Sequence, residues 1–188
     1  MKKILLVDAS PRKGGNSEVI VDTLASQFKN AEVTVFKMRE KKCNHCMACA
    51  ACQGKETQNC VQKDDITELL PIIDECDAIV LTSPICNHQM GSQARVFIER
   101  LYPFFHVEKK NMSNTSKFGK KAALILSFWG GPKDIYEKYA AWSGETFIQM
   151  GVEETKTLVF GGIPARGEIK AHPEYMEEVD NIAKWLVE

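Results

Sequence analysis

The chain has 188 residues, and its 24 lysines and arginines nearly balance 25 aspartates and glutamates, which leaves a formal net charge of −1. This length suits one compact domain and excludes two independent ones, and an apolar content of 44% excludes global disorder. The small net charge gives no overall field that would attract nucleic acid. No apolar run in the sequence approaches the roughly 20 residues that span a bilayer, so a membrane is not an expected partner.

Short apolar runs predict the strands. The first, residues 4–7, ends at Asp8 and is shorter than the apolar region of about 7–15 residues in a signal peptide. It is therefore interpreted as a buried strand, and we expect a cytoplasmic protein. The runs are rich in Ile, Leu and Val without period-two alternation, which is typical of strands buried on both faces of a parallel sheet. The five predicted strands are residues 3–7, 32–36, 78–82, 122–127 and 156–160.

Amphipathic stretches between the strands predict five helices. Residues 65–68 are typical of a capping box with Asp65 as the N-cap of the second helix, and Pro71 should kink or restart that helix. Pro173 suits the first position of the last helix. The tryptophans Trp142 and Trp185 are interpreted as core residues. The first helix is predicted over residues 17–28. The predicted apolar faces are Ala94, Phe97, Ile98 and Leu101 in the third helix, Ile135, Tyr139 and Trp142 in the fourth, and Met176, Val179, Ile182, Ala183 and Leu186 in the last.

Five strands and five helices in strict alternation favour one architecture. Right-handed crossovers make a doubly wound α/β fold the natural solution, with a five-stranded parallel sheet and helices on both faces. Two connections, residues 38–63 and 161–172, are too long for simple turns. We expect a single domain over residues 1–188 with a cysteine-rich loop insertion at about 39–63.

The loop after the first strand suits a phosphate group. In a doubly wound sheet, ligands bind outside the carboxyl ends of the strands, which is where this loop is expected. Ser10 and Ser17 supply hydroxyls, and Asn16 supplies an amide. Arg12 supplies a guanidinium, and the following helix supplies backbone N–H groups. The loop matches neither the GxxxxGK[ST] nor the GxGxxG pattern, so an ordinary capped loop with solvated charges is the alternative.

Seven cysteines occur in the chain, and five of them fall between positions 43 and 60. In a reducing compartment such a cluster indicates metal ligation or redox chemistry rather than disulfide bonds. Thiolates at this spacing can reach a common centre from one loop. Three interpretations stay open at this point, namely a [4Fe–4S] cluster, a zinc site or free thiols. The five residues are Cys43, Cys46, Cys49, Cys52 and Cys60.

Three motifs resemble the NADPH-dependent FMN reductase group of flavodoxin-like proteins. Residues 10–17, SPRKGGNS, resemble its FMN phosphate loop. Residues 83–88, SPICNH, and residues 97–101, FIERL, are similar to its SP-x-Y loop and F-x-D-R-L helix. The C-x2-C-x2-C run from Cys46, followed by CVQKDD at 60–65, is similar to the cysteine motif of the iron–sulfur flavoproteins within that group. The resemblance covers most of residues 1–130.

The resemblance implies a flavodoxin-like fold that holds FMN noncovalently at the strand ends. It also implies a homodimer or homotetramer in which the flavin lies near a subunit interface. Cys86 stands where the family usually has an aromatic residue. The implied phosphate contacts are Ser10, Arg12, Asn16 and Ser17, and the implied ring contacts are Pro84, Ile85, Cys86 and Asn87, with Trp129 and Gly130 after the fourth strand.

The resemblance also implies a register for the cysteines. Cys46, Cys49, Cys52 and Cys60 would ligate a [4Fe–4S] cluster, and Cys43 would be a spare thiol or an alternative ligand. The chain would then be a flavin-dependent oxidoreductase that exchanges electrons with a ferredoxin-like protein or a small-molecule acceptor. One alternative is an NAD(P)H-dependent FMN or quinone reductase without a cluster. Another is a non-catalytic regulator that uses the loop as a redox sensor.

Overall fold

The computed structural model describes residues 1–53, 59–105 and 119–188. Five strands form one parallel sheet in the order β2-β1-β3-β5-β6, and a sixth, β4, pairs antiparallel with the end of β3. The predicted flavodoxin-like fold class is confirmed. The strands are β1 (Lys2–Asp8), β2 (Ala31–Lys37), β3 (Ala78–Cys86), β4 (Gln89–Met90), β5 (Lys121–Ser127) and β6 (Glu154–Phe160).

Helices cover both faces of the sheet because successive strand residues point to opposite sides. In β1, Leu5 belongs to one apolar cluster with helices α2, α3 and α4, and Leu6 belongs to a second cluster with α1 and α5. In the described part of the chain, no helix combines the length and the apolar character needed to cross a membrane. The helices are α1 (Asn16–Gln27), α2 (Asp65–Glu75), α3 (Ser92–Glu99), α4 (Lys133–Gln149) and α5 (Pro173–Val187).

The register aligns the carboxyl ends of the strands at one edge. Asp8 of β1 lies beside Lys37 of β2 and Thr82 of β3. Ser127 of β5 lies beside Phe160 of β6 and Pro84 of β3. The loops that follow β1, β3, β5 and β6 therefore meet at this edge, which is the position that the sequence predicts for the ligand.

The start and the middle of α2 differ from the prediction. The N-cap is Asp64 rather than Asp65, and its carboxylate accepts a hydrogen bond from the Thr67 backbone N–H at 3.0 Å. Either aspartate could cap, but Asp64 is also held by Arg100 at 2.6 Å. The helix continues through Pro71, because burial of its apolar side chains outweighs the lost backbone hydrogen bond.

The buried face of α4 also differs from the prediction. Trp142 is 72% exposed and Ile135 is 52% exposed, so Trp142 is not a core residue. The helix instead turns Tyr136, Ala140 and Phe147 to the sheet. Gly144, two residues after Trp142, lies close to the side chains of Thr155 and Thr157, so the helix approaches β6 closely there. Trp185 on α5 is buried as predicted.

Candidate functional site

A cleft of about 260 Å³ opens at the carboxyl edge of the sheet. It lies between the loops after β1 and β3, where the strand order reverses, which is the usual ligand position of a doubly wound sheet. Four connections contribute to it. The lining residues are Ser10, Pro11, Arg12, Gly15, Asn16 and Ser17 from the first, Pro84, Ile85 and Cys86 from the second, Ser127, Phe128 and Trp129 from the third, and Ile163 and Pro164 from the fourth.

Eight of the ten predicted cofactor contacts line this cleft, whereas Asn87 and Gly130 lie outside its described lining. Asn87 and His88 have φ values of 50° and 67°, as a two-residue type I′ hairpin turn between β3 and β4 requires. Tyr139 fixes this hairpin by accepting a hydrogen bond from the Met90 backbone N–H at 3.1 Å. Gly130, which directly follows Trp129 in the sequence, is exposed.

The sequence prediction missed six lining residues. Two of them, Pro11 and Gly15, lie within the predicted phosphate loop itself. Ser127 and Phe128 directly precede the predicted Trp129, and the alignment of parallel strand ends is a signal that could have found them. Ile163 and Pro164 lie in the connection 161–172, whose unusual length was the available signal. The cleft therefore has a fourth wall, supplied by the segment after β6.

Backbone hydrogen bonds shape the loop between β1 and α1. The Ser10 backbone N–H donates to Asp8 at 3.1 Å, and the Arg12 backbone N–H donates to the Ser10 hydroxyl at 3.2 Å. Gly14 adopts a positive φ of 69°, which glycine tolerates best. Within the described residues, the N-cap Gly15 makes no side-chain cap bond. Gly15, Asn16 and Ser17 at the start of α1 line the cleft, where the N–H groups of the first turn would stabilise an anion.

Asn16 joins this loop to the fourth wall. Its amide Nδ2 donates to the carbonyl oxygens of Ile163 at 2.9 Å and Ala165 at 3.2 Å. Its Oδ1 accepts from the Ile169 backbone N–H at 3.1 Å. These bonds occupy the amide, so the side chain of Asn16 positions the fourth wall, and its backbone faces the cleft at the start of α1.

A network of charged side chains supports the loop between β1 and α1. Asp8 is fully buried and pairs with Arg39, which also contacts Glu18 at 2.6 Å. Lys37 contacts Glu18 at 2.7 Å, and the Gly14 backbone N–H donates to Glu18 at 2.5 Å. Lys37 is the main cause that lowers the pKa of Glu18 to about 2, whereas burial raises the pKa of Asp8. The two cations offset the carboxylates that would otherwise repel an anion in the loop.

The cysteine loop places its members in two environments. Four cysteines line one small cavity together with Arg100 and Tyr102. Cys43 lies outside the described lining of this cavity, and burial, with Asp64 and Asp65, raises its pKa to about 11. Residues 54–58 of the loop lie outside the described residues. The four that line the cavity are Cys46, Cys49, Cys52 and Cys60.

Four thiol sulfurs around one cavity are a donor set that both zinc and a [4Fe–4S] cluster accept. Within the described ranges, no three His, Cys, Asp or Glu side chains are close enough to hold one metal ion. Zinc would draw four sulfurs to about 2.3 Å from one centre, whereas each cysteine of a [4Fe–4S] cluster binds its own iron. N–H groups already donate to two of the sulfurs, from Ala48 to Cys46 at 3.4 Å and from Gln53 to Cys52 at 3.8 Å. Such bonds are typical of cluster ligands.

A buried ion pair closes the cavity. Asp64 accepts two hydrogen bonds from Arg100, at 2.6 and 2.9 Å. Burial opposes the charge of Asp64, but Arg100 and two backbone N–H groups lower its pKa to about 2. Burial likewise opposes the charge of Arg100. Asp64 and, after it, Cys60 raise the pKa of Arg100. Arg100 and Cys60 line the same cavity.

Comparisons with known proteins identify the family. The sequence profile of the NADPH-dependent FMN reductase family matches residues 2–137, which include the phosphate loop and the cysteines. An iron-sulfur flavoprotein of Archaeoglobus fulgidus is 36% identical over 163 residues, which cover 85% of this chain and 68% of that protein. An iron-sulfur flavoprotein of Methanocaldococcus jannaschii is 25% identical over 99% of this chain and 96% of that protein.

Solved structures share the fold at low sequence identity. An NAD(P)H:quinone oxidoreductase from Methanothermobacter marburgensis superposes with a TM-score of 0.74 at 12% identity, over 97% of both chains. An FMN-dependent NADH-azoreductase from Bacillus anthracis, in complex with FMN, superposes with a TM-score of 0.72 at 14% identity, over 100% of both chains. At these identities the likeness establishes the architecture.

Proposed function

The chain belongs to the NADPH-dependent FMN reductase family and is a flavin-dependent oxidoreductase, and from that premise we propose that it is of the iron–sulfur flavoprotein type. In this proposal it binds FMN in the cleft and a [4Fe–4S] cluster in the cysteine loop, and it exchanges electrons with a redox partner. The observation that carries the proposal is the common cavity of four cysteines, whose described lining does not include Cys43. Relatives named iron-sulfur flavoproteins support it.

The cleft residues would bind and orient FMN. Ser10 and Ser17, with the first N–H groups of α1, would hold the phosphate, and Arg12 would add a charge-assisted hydrogen bond. Ile85 on one side and Trp129 on the other leave a slot for the flavin ring. The fourth wall, held by Asn16, would exclude water from one end of the cleft.

The cysteine residues would hold the cluster. Thiolates of Cys46, Cys49, Cys52 and Cys60 would each bind one iron, and the N–H donors at two of these sulfurs would stabilise their negative charge. When bound, FMN supplies one- and two-electron chemistry and the cluster supplies one-electron transfer. The protein needs no acid, base or nucleophile of its own for electron transfer.

The proposal also covers the oligomeric state, the domain organisation, the location and the electron partner of the protein. Trp129 is 77% exposed beside the cleft, so a second copy of the chain in a homodimer or homotetramer would shield the flavin. In this proposal residues 1–188 form one domain. A cytoplasmic location fits the proposal, because thiolates that ligate a cluster persist best in a reducing compartment. A ferredoxin-like protein or a small molecule would be the electron partner.

A second candidate function is an NAD(P)H-dependent FMN or quinone reductase without a cluster. The open cleft beside Trp129 favours it, because a nicotinamide could stack there on the exposed face of a bound flavin. Iron content separates the two candidates.

The test of the proposed function uses serine variants of one loop. Protein is purified and reconstituted with iron and sulfide without oxygen, and iron, sulfide and FMN are measured per chain. We expect about four irons in the wild type, little iron in Cys60→Ser and Cys52→Ser, and near wild-type iron in the matched control Cys43→Ser. FMN should be retained in all variants. Iron loss in Cys43→Ser with retention in Cys52→Ser would refute the ligand assignment, and an iron-free wild type would favour the second candidate.

A further inference from the structure

We propose that Arg100 is a positioning residue of the cluster site, where its Nε–H donates a hydrogen bond to an anionic sulfur in the cysteine cavity and raises the reduction potential of the cluster. The inference rests on the proposed function, because it requires a cluster as the acceptor. It assigns a role to a residue that binds neither iron nor flavin directly.

Four of the five N–H donors of the Arg100 guanidinium are used in hydrogen bonds to described residues, and one is not. The side chain is 1% exposed, and a guanidinium carries five N–H groups. Nη1 donates to Asn44 O at 2.9 Å and to Asp64 at 2.6 Å. Nη2 donates to Asp64 at 2.9 Å and to the Thr67 hydroxyl at 2.7 Å. The fifth group, Nε–H, is buried and has no hydrogen-bond partner among the described residues.

A buried cationic donor without an acceptor is rare in native proteins, because it loses its hydration without replacement. Arg100 and the four cysteines line the same cavity. Glu99 also lines this cavity, but it is paired with Arg95 at 3.4 Å. The sulfurs are therefore the acceptors that fit the unused donor.

The position of the donor is fixed by the surrounding fold. Asp64 holds both terminal nitrogens of Arg100 and also caps α2 through the Thr67 backbone N–H. The Asn44 carbonyl ties the same guanidinium to the start of the cysteine loop. One side chain thus joins α2, the end of α3 and the loop, so the Nε–H group keeps its orientation when the charge of the cluster changes.

The direction of the effect follows from charge. Reduction adds one negative charge to a cluster that four thiolates already make anionic. A hydrogen bond from a cation to a sulfur stabilises the reduced form more than the oxidised form, which raises the reduction potential. Removal of the donor should therefore lower the potential.

The test compares Arg100→Lys with Arg95→Lys in reconstituted, FMN-loaded protein. Lysine at position 100 keeps a cation beside Asp64 but lacks the Nε–H group, and Arg95 is an exposed arginine on the same helix. Cluster potentials are measured by redox titration monitored by electron paramagnetic resonance. We expect the reduced-to-oxidised ratio at fixed potential to fall at least tenfold in Arg100→Lys, which equals a shift of about 59 mV for one electron. Arg95→Lys and the flavin potential should not change.

A second measurement needs no variant and covers the case in which Arg100→Lys does not fold. Wild-type protein labelled with ¹⁵N only in arginine side chains should show a ¹⁵N hyperfine coupling to the reduced cluster. An iron-loaded wild type without this coupling, or an iron-loaded Arg100→Lys variant with the wild-type potential, would overturn the inference alone. A reconstituted wild type without iron would overturn the proposed function and the inference together.

Discussion

Arg12 and Asn16 lie in the same loop but differ in what they hold. Asn16 is engaged by three backbone groups of the fourth wall, whereas Arg12 is exposed and has one long contact, to Pro164 O at 3.3 Å. A phosphate that binds the Arg12 side chain would therefore displace only this long hydrogen bond to Pro164 O. The sequence alone indicates that both residues are polar and near the strand end, but it does not distinguish a ligand contact from a loop anchor.

We expect Arg12→Ala to weaken FMN binding by about 1.5–3 kcal/mol, the usual value of a charge-assisted hydrogen bond. The dissociation constant, measured by quenching of flavin fluorescence, should rise roughly 10- to 150-fold. Lys13→Ala is the matched control, because Lys13 is an adjacent exposed cation that lies outside the described lining of the cleft. Equal affinities of wild type and Arg12→Ala would refute the phosphate assignment.

Glu18 gives a pH-dependent prediction. Its pKa in the folded protein, about 2, is below its ordinary value of 4.5, so ionised Glu18 stabilises the fold fully above that ordinary value. This contribution, about 3 kcal/mol, is lost as the pH falls from about 4.5 through 2. Glu18→Gln lacks it at every pH.

The measurement is the free energy of unfolding by urea at several pH values. The difference between wild type and Glu18→Gln should be largest above pH 5 and should narrow toward pH 2. A difference that stays constant over this range would show that Glu18 is not stabilised by Lys37 and Arg39 in the folded state.

At the scale of elements, strands were easier to predict than helix faces. The five predicted strands begin and end within two residues of the predicted bounds except β3, which continues to Cys86 because Pro84 pairs with Ser127 of β5; the short β4 was not predicted. Apolar runs reveal a buried parallel strand, but they do not reveal how far its neighbour extends. In α4, Ile135 and Trp142 of the predicted apolar face are exposed, Tyr139 is partly buried, and Tyr136, Ala140 and Phe147 form the buried face.

The charge network below the phosphate loop could not be predicted from sequence. Asp8 and Arg39 are 31 positions apart, and their pairing depends on the register that places Asp8 beside Lys37. The position of Cys43 outside the described lining of the cysteine cavity likewise depends on the fold. Local spacing alone treats Cys43 as a member of the same series.

The outer face of α4 gives a prediction about assembly. Trp142 is 72% exposed, with Ile135 and Ile148 also exposed on this helix, and we expect a second copy of the chain to cover them. Sedimentation should give a dimer or larger species for the wild type and a shift toward monomer for Trp142→Ser. Lys138→Ala, an exposed change on the same helix, is the control. A wild type that stays monomeric with FMN fully bound would contradict this expectation.

At the scale of the whole molecule, the two proposed cofactor sites are neighbours in one chain. A surface groove shares Pro11 and Cys86 with the flavin cleft, and it shares Glu99 with the cysteine cavity. The cysteine loop leaves the sheet after β2, next to β1 and its phosphate loop. We therefore expect electrons to pass between the flavin and the cluster within a single chain, without a requirement for a second subunit to supply ligands.

The most direct test of the proposed pair of cofactors counts electrons. Wild-type protein, reconstituted without oxygen and loaded with FMN, is titrated with dithionite while its absorption and its electron paramagnetic resonance are recorded. We predict about three electrons per chain, two for the flavin and one for the cluster, with a resonance from a reduced [4Fe–4S] centre. An uptake of about two electrons, with flavin signals alone, would contradict the account.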